Sequence, residues 1–339
     1  MPTRTQATPP SPEPVFAAMW AYQQTEALRA AIELDLFTAI GSGAAHPAAL
    51  AERTRATERG VRILCDFLTI QGLLSKHDGT YELTPAAANF LDRRSPAFMG
   101  DMMRFIAGKE MQADFRRLAQ SARGEIKSTP EVDEPNWRGW IEFARSMTPL
   151  MRPQSEFLAS RFAPGAAGTV LDVAAGHGLF GIAFARHNPD LNIIALDWPE
   201  VLTVAKEHAA QAGLDASRYR TLSGSALEIG FGENHRFVLL TNFLHHFDSA
   251  TCERLLRKAQ AALQPGGQVV VLEFVPNDDR VSPPFSAAFS LTMLASTPRG
   301  DAYTWQELLR MLQAAGFDEP TIEPVPHSPQ SAICARRKA

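Results

Sequence analysis

Cysteine is scarce in this chain. Cys65, Cys252 and Cys334 are its three cysteines, far apart and in no Cys-x-x-Cys or Cys/His spacing. That pattern argues against a zinc site or a disulfide framework, and a sparse, odd set fits a reducing, cytoplasmic setting. Long apolar runs are missing too: none approaches the roughly 20 residues needed to cross a bilayer. Charge of one sign is not in excess either. The 33 basic and 37 acidic residues leave a net charge of -4, so nothing draws the whole chain to nucleic acid or an anionic membrane. The opening MPTRTQATPPSPEP holds Pro and Thr but no apolar core. It does not read as a secretory signal, and residues 1–14 are expected to be a disordered tail.

What is present is ordinary globular sequence in two grammars. With 339 residues, 45% of them hydrophobic and 21% charged, the chain has material for two cores. Residues 15–95 read as helices closed by a small strand pair. ALRAAIELDLFTAI sets Leu28, Ala31, Ile32, Leu36 and Phe37 at helical spacing, HPAALAERT is a short helix, and TERGVRILCDFLTIQGLL puts Val61, Leu64, Cys65 and Leu68 on one face. LLSKHDGTYEL then reads strand, Asp78-Gly79 turn, strand. This is the winged-helix order, which raises DNA as a ligand, with Arg53, Arg55, Arg59 and Arg62 near the third helix. Acids balance bases over this region, so no basic face is expected. Residues 96–160 read as a helical connector rich in large apolar groups, among them Trp137, Trp140, Phe143, Met147 and Met151. These suit a core or an adaptable apolar pocket equally.

From residue 161 to 339 strands and helices alternate. TVLDVA, LNIIALD, RFVLLTN and QVVVLEF read as strands. LFGIAFARH, VLTVAKEHAAQAG, SATCERLLRKAQAAL and TWQELLRMLQAAG read as helices, the third stopped by Pro265-Gly266-Gly267 and the last opened by a Thr304/Glu307 capping box. A final hairpin follows. The expected fold class is α/β: a doubly wound, mostly parallel sheet covered on both faces. Such sheets bind ligands at the carboxyl ends of their strands.

The first strand runs into Gly-His-Gly-Leu-Phe-Gly, residues 176–181. Gly176 and Gly178 allow a tight turn and close approach of backbone to ligand. Asp197 ends the second strand, at the spacing where an acid takes the hydroxyls of an adenosine ribose. To this point NAD and S-adenosylmethionine (SAM) are served equally. Asp172, inside the first strand, shifts the balance. A pyrophosphate wants little negative charge beside it, whereas SAM carries an ammonium and a sulfonium; the alternative is a carboxylate tying down loop amides. His245 and His246 stand at the end of the third strand, in NFLHHFD, and Glu273 at the end of the fourth. A His there can take a proton near neutral pH, and a carboxylate on an apolar strand needs a partner.

These segments together resemble the SAM-dependent O-methyltransferases of the plant caffeate and bacterial polyketide-tailoring type. The likeness is carried by LDVAAGHG, ALDWPEV, LHHFDSATCERLLRKAQAALQPGGQVVVLE, MLASTPRG and LLRMLQAAGF, and by AAIELDLFTAI and GLLSKHDGTYELT in the first region. The resemblance implies a Rossmann-like class I methyltransferase sheet and a winged helix that pairs two copies and binds no DNA. It also implies methyl transfer from SAM to the hydroxyl of a small apolar or aromatic acceptor, leaving S-adenosylhomocysteine, with no metal. It maps the base onto His245 and its acidic partner onto Glu273. It maps the glycine loop onto Gly176 and Gly178, the ribose acid onto Asp197 and the aromatic near the adenine onto Phe247; Asp172, Trp198, Gly224, Ser225, Ala226 and Asn242 complete the expected donor site. The acceptor pocket is expected from Trp140, Phe143, Met147, Met151, Phe289 and Met293. The chain departs from the family in three places: Ala302, beside Asp301, stands where many members have a second Glu; Ser225 where many have an Asp; and Thr241 where many have a Lys. The alternatives are C- or N-methylation or other SAM chemistry on the same fold and, further off, a NAD-dependent oxidoreductase or a ligand-sensing regulator.

Overall fold

The computed structural model describes residues 10–125 and 138–338; Trp137 and most of the expected tail lie outside them. The chain divides after Ala107 into two compact units.

In the first unit, α1 (Glu13–Glu33) begins two residues inside the stretch read as a tail, with a proline in its first turn, where the missing N–H costs nothing. The single helix read through ALRAAIELDLFTAI is two helices. Asp35 adopts a left-handed backbone (φ 53°) that stops α1 and starts α2 (Leu36–Gly41), and its carboxylate accepts the Thr38 hydroxyl at 2.6 Å. Asp tolerates that conformation because its short side chain bonds locally. Next come α3 (Pro47–Thr54) and α4 (Glu58–Ile70). The Thr57 hydroxyl caps α4 by accepting the Gly60 amide, and Val61, Cys65 and Leu68 form its buried stripe. Strands β1 (Leu74–His77) and β2 (Thr80–Leu83) pair antiparallel across Asp78 and Gly79, both at positive φ. That is the turn a two-residue hairpin selects. Short helices α5 (Pro85–Phe90) and α6 (Met103–Ile106) complete the unit.

The second unit opens with helices: α7 (Lys109–Arg116), α8 (Leu118–Ala122), α9 (Arg138–Ser146) and α10 (Thr148–Phe162). Then β3 (Gly168–Val173), α11 (Leu179–His187), β4 (Leu191–Asp197), α12 (Pro199–Gln211), β5 (Tyr219–Ser223), β6 (His235–Thr241), α13 (Ser249–Ala262) and β7 (Leu263–Glu273) alternate. They are followed by α14 (Pro284–Ser296), α15 (Trp305–Ala314) and the hairpin β8 (Phe317–Pro324) and β9 (Ser331–Arg337). The seven strands form one sheet in the order β5-β4-β3-β6-β7-β9-β8, parallel from β5 to β7 and antiparallel at the β9 and β8 end. Strand β5 has no counterpart in the sequence reading: it is a five-residue edge strand of mixed polarity. Helix α13 stops at Ala262, ahead of the expected Pro-Gly-Gly stop, and those residues already belong to β7. The expected capping box of α15 is present. The chain builds outward from β3 to β5, then returns to lay β6 on the other side of β3. That reversal opens a crevice at the carboxyl ends of β3, β4 and β6.

Candidate active site

The turn after β3 alternates its handedness. Ala174, Gly176 and Gly178 all have positive φ (53°, 56° and 74°). The two glycines answer different needs. A Cβ on Gly176 would meet nothing closer than the Ala174 carbonyl at 3.9 Å, so this position faces open space. A Cβ on Gly178 would lie 2.6 Å from the Tyr219 hydroxyl and 3.0 Å from the Ala205 methyl, so this glycine serves packing. Gly181 is also packed, against Ile193.

Asp197, at the end of β4, locks onto that turn. One carboxylate oxygen accepts the Gly176 amide at 2.8 Å and the other accepts the Trp198 amide at 2.7 Å. Burial pushes its pKa up to about 6 despite both bonds. Each oxygen keeps a second lone pair for a ligand hydroxyl. Asp172 is different. It is fully buried in β3, one oxygen accepts the Gly181 amide at 3.0 Å, and the other has no partner among the described residues. Burial pushes it up to about 7. The structure therefore has Asp172 tying down an amide in the first turn of α11, and it lines neither of the two cavities that meet at Asp197.

Two cavities meet at Asp197. The first is lined by Trp140, Phe143, Met151, Gly176, Trp198 and Asn242 from the expected set, and by His177, Phe180, Thr241, Phe243 and His246. The second is lined by Gly224, Ser225, Ala226, Leu227 and Phe247. Ala174, Asp197, Trp198 and Phe243 border both. Asn242 (φ 55°) is pinned where β6 ends: its side-chain oxygen accepts from Gln330, its amide nitrogen reaches the Met151 sulfur at 3.5 Å, and its backbone amide donates to the Leu272 carbonyl at 2.8 Å. Met147, Phe289 and Met293 line neither cavity. Met147 and Met293 are buried in packing, and the Phe289 ring stands 4.9 Å from the His245 ring.

His245 and Glu273 meet although 28 residues separate them. The His245 Nδ1–H donates to Glu273 Oε2 at 2.6 Å, both side chains being about 5% exposed or less. The other Glu273 oxygen accepts the backbone amides of Phe243 (3.1 Å) and His245 (3.3 Å). An acceptor-only carboxylate fixes the ring proton on Nδ1 and leaves Nε2 with a lone pair. Asp301 does not supply the second acid that Ala302 lacks. Its carboxylate pairs with Arg280 at 3.1 Å, while its backbone amide donates to the His245 carbonyl at 3.0 Å; Ala302 itself is fully buried.

Sequence reasoning missed Phe243, which borders both cavities and packs edge-on against Phe247 with ring centroids 5.0 Å apart. His177 and His246 stand outside the expected donor and acceptor sets. Both line the first cavity, and burial lowers the pKa of each, His177 to about 3. Two neutral imidazoles therefore face that cavity. The only signal for them was their position after a strand end.

A seven-stranded sheet in this order, with a glycine turn after its central strand and an acid on the neighbouring one, defines the class I SAM-dependent methyltransferases. The profile of the O-methyltransferase domain matches residues 145–318, and that of the O-methyltransferase dimerisation domain matches residues 18–93. The chain belongs to the O-methyltransferase family, and its methyl donor is SAM. It is 28% identical to 3-hydroxy-5-methyl-1-naphthoate 3-O-methyltransferase of Streptomyces sahachiroi over 87% of this chain and 86% of that one. It is 26% identical to the L-tyrosine C(3)-methyltransferase of Streptomyces lavendulae, over 87% and 84%. A Nostoc punctiforme crystal structure assigned as an O-methyltransferase superposes with a TM-score of 0.91 at 42% identity, over 97% of this chain and all of that one.

The residues present suit the donor. Asp197 lines both cavities with a spare lone pair on each oxygen, and the turn at Gly176 is open, an arrangement that fits a ligand with neighbouring hydroxyls and no pyrophosphate.

Proposed function

We propose that this enzyme methylates a hydroxyl of a small aromatic or apolar acceptor, with His245 as general base and Glu273 as its orienting partner. SAM, when bound, supplies an electrophilic methyl on a positively charged sulfur. The protein does the rest. Asp197 and the turn at Gly176 hold the ribose, and Phe247 with the Gly224–Ala226 loop walls the adenine end. Trp140, Phe143 and Met151 offer the acceptor an apolar wall. His245 Nε2 takes the hydroxyl proton as the oxygen becomes a nucleophile, and Glu273 stabilises the charge that the ring acquires. Holding two reactants in line accounts for much of the rate, and a positioned base adds about 10²–10⁴-fold.

The observation that carries this reading is the 2.6 Å bond between two buried side chains, His245 in the 3-10 turn after β6 and Glu273 at the end of β7. His245→Ala should keep binding of S-adenosylhomocysteine by calorimetry and lose at least about a hundredfold in turnover. Near-normal turnover would transfer the role of base to His246, which lines the first cavity where His245 does not. A second reading, carbon methylation, draws on the missing second acid at Ala302 and on the tyrosine C-methyltransferase relative. Locating a labelled methyl in the product separates the two.

The dimerisation-domain match and the exposed Val15, Phe16, Met19 and Trp20 of α1 support pairing of two copies through the first unit. Among the described residues no helix is long and apolar enough to cross a membrane.

A further inference from the structure

The loop that walls the second cavity is gathered from behind by one ammonium. Lys258, on α13, donates to the carbonyls of Ala226 at 2.6 Å, Ile229 at 2.7 Å and Leu227 at 3.3 Å. Its ammonium also lies 4.5 Å from the centre of the Phe231 ring. An ammonium has three donors and no acceptor; here all three are used within four residues of chain. No carboxylate is among its hydrogen-bond partners in the described residues, so Lys258 is not one half of an ion pair.

What Lys258 gathers is the cavity wall itself. Ala226 and Leu227 line the second cavity beside Gly224 and Ser225. The loop's own bonds converge on Ser225, whose hydroxyl accepts the Leu227 amide at 3.2 Å and whose carbonyl accepts the Glu228 and Ile229 amides. Ile229 in turn fills the space under Gly224, where a Cβ would come within 2.9 Å of it. The Ser225 hydroxyl is therefore engaged with the loop, and Glu228, the loop's one carboxylate, is exposed and does not line the second cavity. Its complementarity rests on where the backbone sits, and Lys258 holds that backbone.

We infer that Lys258 is a positioning residue for the adenosine half of the methyl donor: it fixes the 224–229 loop in its receiving shape and so controls donor affinity without touching acceptor or reacting atoms. This rests on the reading that the second cavity takes the adenosine end. Lys258→Met keeps the length and the packing on Phe231 but removes three charge-assisted bonds. The dissociation constant of S-adenosylhomocysteine should rise about tenfold, roughly the worth of one net hydrogen bond. 5′-Methylthioadenosine, which has only the adenosine half, should weaken by the same factor. Turnover at saturating donor and the acceptor KM should stay within twofold of wild type, and Lys258→Arg should restore most of the affinity. If Lys258→Met does not fold, Lys258→Gln, which retains one donor group, should show an intermediate loss. Unchanged affinities with a lowered melting temperature would overturn the proposal in favour of a purely structural clamp. A drop in turnover at saturating donor would overturn it as well. Asp197→Ala in parallel separates the layers: unchanged affinity there removes the cavity assignment, whereas weakened affinity there with none in the Lys258 variants removes only the role of Lys258.

Discussion

Replacing Glu273 by Gln tests the proposed chemistry at one atom. The substitution keeps size and shape and removes a charge and an acceptor. In the folded protein one Glu273 oxygen accepts the His245 ring N–H and the other accepts two backbone amides. A Gln has a single oxygen to serve all three donors. If that oxygen faces the backbone, its NH₂ faces Nδ1 and forces the ring proton onto Nε2, which abolishes the lone pair that the base needs. If it faces the ring, the NH₂ is set against two backbone N–H groups in a site where both side chains are about 5% exposed or less. A hydrogen bond to a charged group contributes about 1.5–3 kcal/mol, and leaving a buried donor unpaired costs about 1–3 kcal/mol. One such term reduces turnover about ten- to a hundredfold, and the inverted tautomer takes it to about 10³–10⁴-fold. Initial rates of methyl transfer from labelled SAM, at saturating donor and acceptor, give the answer. Calorimetry with S-adenosylhomocysteine should show affinity within about threefold of wild type, since Glu273 borders neither cavity. A Glu273→Gln enzyme turning over within about threefold of wild type would refute an oriented base in this site.

Two further outcomes follow from the same geometry. A Cβ on Gly300 would lie 2.2 Å from the His245 carbonyl oxygen and 2.6 Å from the Thr297 hydroxyl, so Gly300→Ala should displace His245. Overpacking of this kind costs about 1–3 kcal/mol, and steady-state kinetics should show turnover reduced at least about tenfold with donor affinity kept; wild-type turnover would mean that this turn does not hold the base. Burial raises the pKa of Asp172 to about 7 and of Asp197 to about 6. A raised pKa means that the folded state binds more protons, so this stabilisation is complete below about pH 4, the ordinary carboxylate value, and is lost as pH rises to about 7. His177, lowered to about 3, acts oppositely, adding stability above about pH 6.5 that is lost as pH falls. Asp197→Asn should therefore lose less thermal stability than wild type between pH 5 and 8 without ligand. The gain in melting temperature on adding cationic SAM should grow with pH in wild type more than in the variant. Parallel slopes in differential scanning fluorimetry would contradict the raised pKa of Asp197.

Local signals served well where one residue type had one physical reading. The Asp78-Gly79 turn, the α15 capping box and the apolar strands β3, β4, β6 and β7 were legible because each depends on neighbours in sequence. Strand β5 was not, since an edge strand need not be apolar. The break at Asp35 was hidden because apolar spacing runs straight through it, and only the backbone there departs from helix. Asp172 misled for a related reason. The sequence places a carboxylate near the ligand end of β3 but does not say which way it faces, and in the fold it accepts the Gly181 amide in the first turn of α11.

The sequence by itself determined the strand-helix alternation, the glycine turn, the acid that closes β4 and the His and Glu that close β6 and β7. These follow from periodicity, from the conformations glycine permits and from the cost of leaving a carboxylate on an apolar strand. The tertiary structure decided which of those groups meet. His245 and Glu273 come together because β6 and β7 are parallel neighbours in a register that sets Thr241 beside Leu272. The cavity joins α9 and α10 to three strand ends and sets His246, not His245, on its wall. Such contacts join residues dozens of positions apart, and only the packed sheet fixes their separation.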